Sequence, residues 1–256
     1  MLSRAAAALG DLIIPRTCAA CGTSIGIEER DVCRPCGEEL TRAVDVPYCR
    51  RCGESRGAYL LHDGQCTRCV TGRSLRRFHS FARVGAYDGA LKSLILQFKK
   101  TCTLDRLLGS LLAKALRGMG MIDEIDVWVP IPSHWIRRWR VGHQPTAILA
   151  RAATSSFGGT VEPLLAMRRE IPPFHERPGL SSADRARAIL GAFSAVPGAD
   201  LEGRRVCLVD DVMTTGATLH EAKRILREAG ARSVSAAVLA RAHKGPGAVV
   251  TPTVGG

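Results

Sequence analysis

Four Cys-x-x-Cys pairs in the first third of the sequence constrain its fold more than any other feature. Successive pairs are separated by 11, 12 and 13 residues, and Gly22, Gly37 and Gly53 directly follow three of them. Two such pairs joined by a short loop supply four thiolates at tetrahedral corners, as a structural zinc ion requires. The glycines are expected to let the backbone turn around the metal. The spacing predicts two zinc sites in sequential order, with Cys18, Cys21, Cys33 and Cys36 in the first and Cys49, Cys52, Cys66 and Cys69 in the second.

Other uses of paired cysteines agree less well with the sequence. In a secreted protein the pairs could be disulfides, whereas in a reducing cytosol they are metal ligands. The weakly signal-like start is interrupted by Asp11 and has no small-residue cleavage site after Pro15. No apolar run approaches the roughly 18 residues of a membrane helix. We therefore expect a cytoplasmic protein with no membrane span. Redox chemistry normally needs one exposed pair, so four tandem pairs favour a structural role.

A chain of 256 residues is long enough for two domains. We expect a double zinc-ribbon module with a short N-terminal helix over residues 1–75, a second domain over residues 76–243 and a disordered tail over residues 244–256. The second domain alternates predicted strands with helices, which favours βαβ units and a mainly parallel sheet flanked by helices.

The predicted elements of the second domain follow from hydrophobic periodicity. Strands are expected at residues 78–87, 125–131, 206–209 and 234–240, and helices at residues 89–100, 104–116, 146–156 and 219–229. Residues 160–193 contain two weak strands around Pro172 and Pro173, in a hairpin or loop. Cys207 lies inside an apolar strand and is expected to be a small buried core residue.

The net charge of +12 is concentrated behind the cysteines. Residues 1–75 carry ten basic and nine acidic side chains, whereas residues 76–256 carry 26 and 15, and 30 of the 36 cations are arginine. Arginine binds phosphate in a bidentate manner. The charge is consistent with a solvated basic surface, and also with a polyanionic partner such as a phosphorylated metabolite or nucleic acid.

The most specific motif after the cysteines is VCLVDDVMTTGAT at residues 206–218. An apolar strand is expected to end at Asp210 and Asp211, followed by a small loop and a helix N-terminus. Such a loop cradles a phosphate with backbone N–H groups and hydroxyls, and the carboxylates can accept hydrogen bonds from sugar hydroxyls and hold a hydrated Mg²⁺. A phosphate beside vicinal hydroxyls describes a ribose 5-phosphate. The predicted phosphate-binding residues are Thr214, Thr215, Gly216, Ala217 and Thr218.

This motif resembles the signature of type I phosphoribosyltransferases, which bind 5-phosphoribosyl 1-pyrophosphate (PRPP). The wider order of features is similar to the ComF family of competence-associated proteins, which joins an N-terminal zinc ribbon to a phosphoribosyltransferase-like domain. The resemblance covers nearly the whole chain, including LIIPRTCAACG at residues 12–22, VPIP at residues 129–132 and GLSSADRARAILGAF at residues 179–193. It implies a type I phosphoribosyltransferase-like fold, PRPP binding with Mg²⁺ and a role in the uptake of transforming DNA.

The resemblance also implies a pyrophosphate-binding segment that begins at the end of the predicted strand at residues 125–131, within VPIP. The residues concerned are Pro130, Ile131, Pro132, Ser133 and His134, with Arg137, Arg138 and Arg140 close behind; those arginines are equally consistent with a solvated helix face. Lys99 and Lys100 are expected at a solvated helix end. The sequence departs from the family pattern at residues 141–145, where it reads VGHQP in place of a run like Arg-Gly-Phe-Asn-Gln, and at Ala188, where the family often has Asn.

Three functions are consistent with these features. The first is a phosphoribosyltransferase, in which a nucleophile attacks C1 of the ribose and pyrophosphate leaves. The second is a non-catalytic accessory factor that senses PRPP or a nucleotide and contacts single-stranded DNA or competence proteins. The third is a zinc-ribbon nucleic-acid binder with a relic second domain. Single-stranded binding normally uses aromatic platforms, and the ribbon module has only Tyr48 and Tyr59, which favours protein contacts or weak DNA contacts there.

Overall fold

The N-terminal part of the chain is built from short elements around the cysteines. The structure is a computed structural model that describes residues 16–74, 77–132, 143–169 and 182–242; the predicted N-terminal helix and tail lie outside these ranges. Two helices begin directly after a cysteine at the N-cap position, Cys33 for the first and Cys66 for the second. The elements are helix α1 (Arg34–Val44), strands β1 (Leu61–His62) and β2 (Gln65–Cys66), which pair in an antiparallel hairpin, and helix α2 (Thr67–Val70).

A parallel sheet forms the centre of the rest of the described chain. Its strands are β3 (Phe81–Ala86), β4 (Val127–Pro130), β7 (Arg205–Met213) and β8 (Ser233–Arg241), in the spatial order β3-β8-β7-β4. All neighbouring pairs are parallel, as the predicted βαβ pattern requires. The apolar runs of these strands are buried because helices cover both faces of the sheet.

Strand β7 is longer than the prediction of residues 206–209. It continues through Asp210 and Asp211 because β8 pairs with it as far as Met213, opposite Arg241. The two aspartates therefore lie within the last four residues of a hydrogen-bonded strand, rather than after its end.

Five helices of the described residues accompany the sheet. They are α3 (Gly89–Thr101), α4 (Asp105–Gly118), α5 (Pro145–Thr154), α6 (Ser182–Ile189) and α7 (Ala217–Glu228). Four of them lie close to their predicted positions. Helix α6 was not predicted, because its sequence SADRARAI has no apolar stripe and only its alanines and arginines favour a helix. The two weak strands are β5 (Leu165–Met167) and β6 (Phe193–Ala195), which form an antiparallel pair; Pro172 and Pro173 lie outside the described residues.

The core has one layer on each face of the sheet. Helices α3, α4 and α5 supply the first, with Phe98, Leu112 and Leu149 fully buried against it. Helix α7 and strand β6 supply the second, with Leu226 and Phe193. Cys207 is fully buried in β7, as predicted, and burial raises the pKa of its thiol.

The cysteine-rich part packs directly on β3, which is an edge strand of the sheet. Cys36 and Leu40 of α1 belong to the same buried cluster as Val84 of β3. The carbonyl oxygens of Arg50 and Arg51 accept hydrogen bonds from the backbone N–H groups of Phe81 and Phe78, at 2.8 and 2.7 Å. The edge that β3 would otherwise expose to water is thus covered from within the chain.

Candidate functional site

The eight paired cysteines gather into two clusters of four within the described residues. The clusters contain Cys18, Cys21, Cys33 and Cys36, and Cys49, Cys52, Cys66 and Cys69, with the sulfur atoms of each cluster within 4.8 Å of one another. This is the predicted sequential pairing. The Sγ–Sγ distance is 3.6 Å between Cys21 and Cys33 and 3.8 Å between Cys52 and Cys66. Zn–S bonds of about 2.3 Å give a tetrahedron with edges of about 3.8 Å, so the donor set fits zinc.

The two clusters are built by the same local structure. The N–H of Cys18 donates to Thr23 O and the N–H of Cys49 donates to Glu54 O, at 2.8 and 2.9 Å. Gly22 and Gly53 follow each pair with φ of 77° and 71°, a conformation that glycine adopts without strain. The expectation for Gly37 is wrong, because Gly37 lies inside α1. The second pair of each cluster instead sits at a helix N-terminus, where the helix dipole favours a thiolate.

The thiols of the second cluster constrain one another electrostatically. A hydrogen bond from Cys52 lowers the pKa of Cys49 to about 4, and the same contact, together with burial, raises the pKa of Cys52. The pKa of Cys69 is raised to about 11 by burial and the negative charge on Cys49. One thiolate is therefore easily formed, whereas four thiolates in this buried space require a bound cation.

The second group of polar residues lies at the carboxyl end of β7. The ammonium group of Lys99, in the last turn of α3, lies 2.9 Å from Oδ1 of Asp211, with the two side chains 27% and 15% exposed. The N–H of Asp211 donates to Oδ1 of Asp210 at 2.9 Å. Two carboxylates and one cation therefore converge where the sheet opens, which is where open parallel sheets bind ligands.

The environment of Asp210 favours its protonated form. Burial and the charge of Asp211 raise the pKa of Asp210 to about 7, although the nearby ammonium of Lys99 acts in the opposite direction. A carboxyl group with this pKa changes its charge near neutral pH, so its affinity for a cation or a sugar hydroxyl depends on pH in that range.

The loop after β7 has the backbone shape of an anion-binding turn. Gly216 is the N-cap of α7, with φ of 79°, and is buried. A Cβ atom at Gly216 would lie 2.4 Å from Cε of Met213, so this side chain packs directly against the loop. Thr214 is exposed, whereas Thr215 is buried and its Oγ1 accepts from the N–H of Ala217 at 3.4 Å. The N–H groups of Thr218 and Leu219, next in the first turn of α7, have no acceptor inside the helix and can donate to an anion.

The other predicted side of the site begins at the end of β4. Pro130, Ile131 and Pro132 are buried. The carbonyl oxygen of Ile131 accepts from Oγ1 of Thr146 at 2.7 Å and from Nε2 of Gln144 at 3.3 Å, which ties β4 to the start of α5. The remaining predicted residues on this side lie outside the described residues, namely Ser133, His134, Arg137, Arg138 and Arg140.

Two family models match the chain in the order of these two sites. The double zinc ribbon domain matches residues 9–70, and the phosphoribosyl transferase domain matches residues 176–255. Competence protein F of Haemophilus influenzae is 29% identical over 231 residues, which cover 88% of this chain and 96% of that protein. The DNA utilization protein YhgH of Salmonella typhi is 28% identical over 242 residues, with 90% and 99% coverage.

The chain is thus similar to competence protein F and to YhgH over most of its length, at 29% and 28% identity. It has a double zinc ribbon followed by a phosphoribosyltransferase-type domain. Adenine phosphoribosyltransferase of Mycobacterium avium is 52% identical over 42 residues, or 16% of this chain. A solved structure of the allosteric regulatory enzyme of purine biosynthesis superposes with a TM-score of 0.36 at 27% identity, over 53% of this chain and 25% of that one. Among the described residues, no helix has the length and apolar composition needed to cross a membrane.

Sequence reasoning missed two cationic residues beside the β7 loop. Lys99 was expected at a solvated helix end, and this is wrong, because its ammonium group contacts Asp211. Arg241, the last residue of β8, is 7% exposed and lies 3.5 Å from Sδ of Met213. The position of Arg241 one strand away from Asp211 was the available signal, since parallel strands bring their carboxyl ends to one edge. No sequence pattern indicated where α3 crosses that edge.

Proposed function

We propose that this protein binds PRPP with Mg²⁺ at the carboxyl edge of its sheet and transfers the phosphoribosyl group to a nucleophile. One observation carries the proposal: the paired carboxylates Asp210 and Asp211, the glycine-capped loop of residues 214–218 and the cation of Lys99 meet at the end of β7. The loop suits a phosphate, the two carboxylates suit vicinal hydroxyls, and the ammonium of Lys99 suits a second anionic group of the same ligand.

Each part of the proposed site has a chemical role. The loop residues Thr214, Thr215, Gly216, Ala217 and Thr218 hold the 5-phosphate through N–H groups and hydroxyls. Asp210 and Asp211 accept hydrogen bonds from the ribose hydroxyls. They also suit Mg²⁺, which binds through one or two carboxylates, substrate phosphates and water. The eight cysteines hold two zinc ions, which stabilise the ribbons and take no part in the reaction.

The proposed reaction is a substitution at C1 of the ribose. The bond from C1 to the pyrophosphate oxygen breaks, the electron pair leaves with pyrophosphate, and the nucleophile forms the new bond to C1. Positive charge develops on the sugar and negative charge on the leaving group. The carboxylates stabilise the sugar side, and the leaving group lies toward the segment after β4, with Arg137, Arg138 and Arg140 as its proposed counter-ions. The protein acts mainly by positioning and electrostatics.

We assign Lys99 to the same site. In the free protein its ammonium group neutralises Asp211, which lowers the cost of placing two carboxylates side by side. When the ribose hydroxyls and Mg²⁺ engage Asp211, the ammonium is released toward the anionic ligand. Its partial exposure supports such a movement, since a fully buried side chain would not be free to turn.

The loop hydroxyls provide a test that does not disturb the backbone. Thr214→Val combined with Thr218→Val removes two hydroxyls at nearly constant shape. The control is Thr160→Val, because Thr160 is exposed and lies beside Trp128 of β4, where its carbonyl oxygen accepts from the Trp128 N–H. We expect the double variant to bind Mg·PRPP at least tenfold more weakly in calorimetry and the control to match the wild type. Equal binding by the double variant would place the phosphate elsewhere. Release of pyrophosphate from PRPP in the presence of candidate amines and bases would separate an enzyme from a sensor.

A second function, an accessory factor that contacts single-stranded DNA or competence proteins, is supported by a basic groove. The groove lies between α4 and α5, has a volume of about 520 Å³ and is lined by Arg106, Arg117 and Arg151, with Asp105 and three serines. Within the described part of the chain, none of these arginines forms an ion pair with a carboxylate. Guanidinium groups without a carboxylate partner in a groove suit a phosphate backbone, although Arg117 also donates to Oγ of Ser156 at 2.7 Å.

The two parts of the chain can be compared directly for DNA binding. We expect replacement of Arg106, Arg117 and Arg151 by alanine to weaken binding of single-stranded DNA and to reduce its salt dependence. The control replaces three exposed arginines of the ribbons, Arg30, Arg42 and Arg56. If only the control variant loses DNA, the ribbons are the DNA-binding part. If neither variant changes binding, protein partners become the alternative, and the fully exposed Tyr59 is the first contact to examine.

A further inference from the structure

The second ribbon is joined to the β7 loop by a chain of direct contacts. Three successive carbonyl oxygens of its first cysteine turn, those of Arg50, Arg51 and Cys52, accept hydrogen bonds from groups of the second domain. The first accepts from the N–H of Phe81, the first residue of β3, and the second from the N–H of Phe78, just before that strand. The third, on a cysteine of the second cluster, accepts from Nη1 of Arg241. The turn that surrounds the metal is therefore also the turn that holds Arg241.

Arg241 connects this turn to the loop. Its Nη2 donates to Oε2 of Glu54 at 2.6 Å, and Nη1 lies 3.5 Å from Sδ of Met213. The N–H of Ala242 donates to Met213 O at 2.9 Å. Met213 directly precedes the loop, and its terminal methyl group leaves no space for a Cβ at Gly216. The side chain that supports the loop is thus fixed by a guanidinium group that the ribbon holds.

Arg241 is charged and buried, so it needs polar partners, and the ribbon supplies them. The side chain is buried, and a second buried arginine, Arg83, lies close enough for the positive charge of Arg241 to lower the Arg83 pKa, after the larger effect of burial. Arg83 is held by Ser55 through its Nη2 at 2.7 Å and by the ring of Tyr48 at 4.8 Å. Two buried guanidinium groups require compensation, and the carboxylate, carbonyl and hydroxyl groups that provide it come from residues 52–55 of the ribbon.

We propose that Arg241 is a positioning residue that couples the metal-bound turn of the second ribbon to the phosphate loop, so that zinc in the second cluster and PRPP at the loop favour each other's binding. The proposal rests on the proposed function for its ligand. Coupling between two sites is reciprocal. Loss of zinc from the second cluster should weaken PRPP binding, and PRPP should slow zinc loss from that cluster by a comparable factor. The first cluster lies beside α1, which packs on β3 and contacts α3 through Glu39. Within the described part of the chain its cysteines form no hydrogen bond with Arg241 or Met213, so this cluster should not respond.

The test compares two arginine variants of the full chain with zinc bound. Arg241→Met keeps much of the apolar volume and removes the hydrogen bonds. Arg204→Met is the control, because Arg204 forms a partly buried ion pair with Glu162 at 2.8 Å beside the opposite end of β7. Hydrogen–deuterium exchange of residues 213–218 needs no ligand. We expect at least fivefold faster exchange there in Arg241→Met and no change in Arg204→Met; unchanged exchange in Arg241→Met would overturn the proposal.

Zinc release provides the second arm of the test. Release to a zinc-selective chelator is followed with and without Mg·PRPP, and Cys21→Ser identifies the kinetic phase of the first cluster. We expect PRPP to slow only the second-cluster phase in the wild type, and to have no effect on it in Arg241→Met. If PRPP binds the wild type and slows neither phase, the coupling is refuted while the binding site stands. If PRPP does not bind at all, the proposed function fails, and the exchange measurement alone decides whether Arg241 positions the loop.

Discussion

Lys99, in the last turn of helix α3, and Asp211, near the carboxyl end of strand β7, form an ion pair of 2.9 Å. The motif itself places only another carboxylate, that of Asp210, beside Asp211. Lys99 of α3 adds a cation to this pair. The site is therefore less negative before ligand binding than two adjacent aspartates suggest, which favours an anionic ligand.

Removal of the Lys99 charge should weaken binding of an anionic ligand. We expect Lys99→Met to lower the affinity for Mg·PRPP at least tenfold, because a cation is lost from a partly buried site. Lys100→Met is the matched control, since Lys100 is the next residue and is exposed; its affinity should stay within twofold of the wild type. Calorimetric titration of both variants measures the difference. Wild-type affinity in Lys99→Met would remove Lys99 from the site.

Ligand binding should depend on pH through Asp210. The pKa of this carboxyl group is about 7, so at pH 6 it is mostly protonated and at pH 8 mostly ionised. Only the ionised form binds Mg²⁺, and we therefore expect the affinity for Mg·PRPP to rise from pH 6 to pH 8 and then to level off. Asp210→Asn should lack this part of the pH dependence, while the titration of PRPP itself affects both proteins equally. An identical pH profile in the two proteins would contradict the assignment.

The same carboxyl group should affect folding stability in the opposite direction. Its folded pKa lies above the unfolded value of about 4, so the native state binds the proton more tightly between these values. Asp210 therefore favours the native state at low pH, and this contribution is lost as the pH rises from about 4 to about 7. We expect the free energy of unfolding to fall less over this range in Asp210→Asn than in the wild type. Urea denaturation at a series of pH values measures it.

Alanine substitutions at Gly22 and Gly53 should destabilise the protein to different extents, because only Gly53 packs against the sheet. Both have φ above 70°, and alanine in that conformation costs about 1–2 kcal/mol. A Cβ at Gly22 meets nothing within 4 Å, whereas at Gly53 it would lie 2.3 Å from the buried ring of Phe81. We expect Gly53→Ala to lose a further 1–3 kcal/mol or so through overpacking. Equal losses in zinc-containing buffer would show that the second ribbon is not held against β3.

The metal content should be two zinc ions per chain. Each cluster has four sulfur donors within bonding geometry of one ion. Protein purified without chelators should contain about two equivalents of zinc by elemental analysis, and Cys66→Ser should contain about one. A single equivalent in the wild type, or iron in place of zinc, would contradict the double-ribbon assignment.

The sequence predicted those parts of the fold that depend on local pattern. The pairing of the cysteines followed from their spacing, and the order of strands and helices from their periodicity. Helix α6 was missed because polar and small residues carry no stripe. Gly37 was misread because a glycine after a cysteine can also lie in the first turns of a helix, where its freedom is not used.

The parts that could not be predicted depend on contacts between distant segments. Lys99 and Asp211 are separated by more than a hundred residues, and only the path of α3 across the sheet brings them together. Arg241 contacts the Met213 side chain because parallel pairing places β8 beside β7. Arg241 in turn is held by the backbone carbonyl of Cys52, whose direction cannot be read from residue type. The division of the chain at about residue 75 remains our proposal for its domains, although the ribbon contributes side chains to the buried clusters on both faces of the sheet.

The most direct test of the account is calorimetric titration of Mg·PRPP into the wild type and into the double variant Asp210→Asn, Asp211→Asn, each loaded with zinc. The substitutions keep the size of both side chains and remove the charges that would hold Mg²⁺ and accept the ribose hydroxyls. We predict saturable binding of one PRPP per chain by the wild type and a loss of at least a hundredfold in affinity in the double variant, with the zinc content unchanged. Binding of equal strength in both proteins, or no binding by the wild type, would contradict the assignment of a phosphoribosyl site to the end of β7.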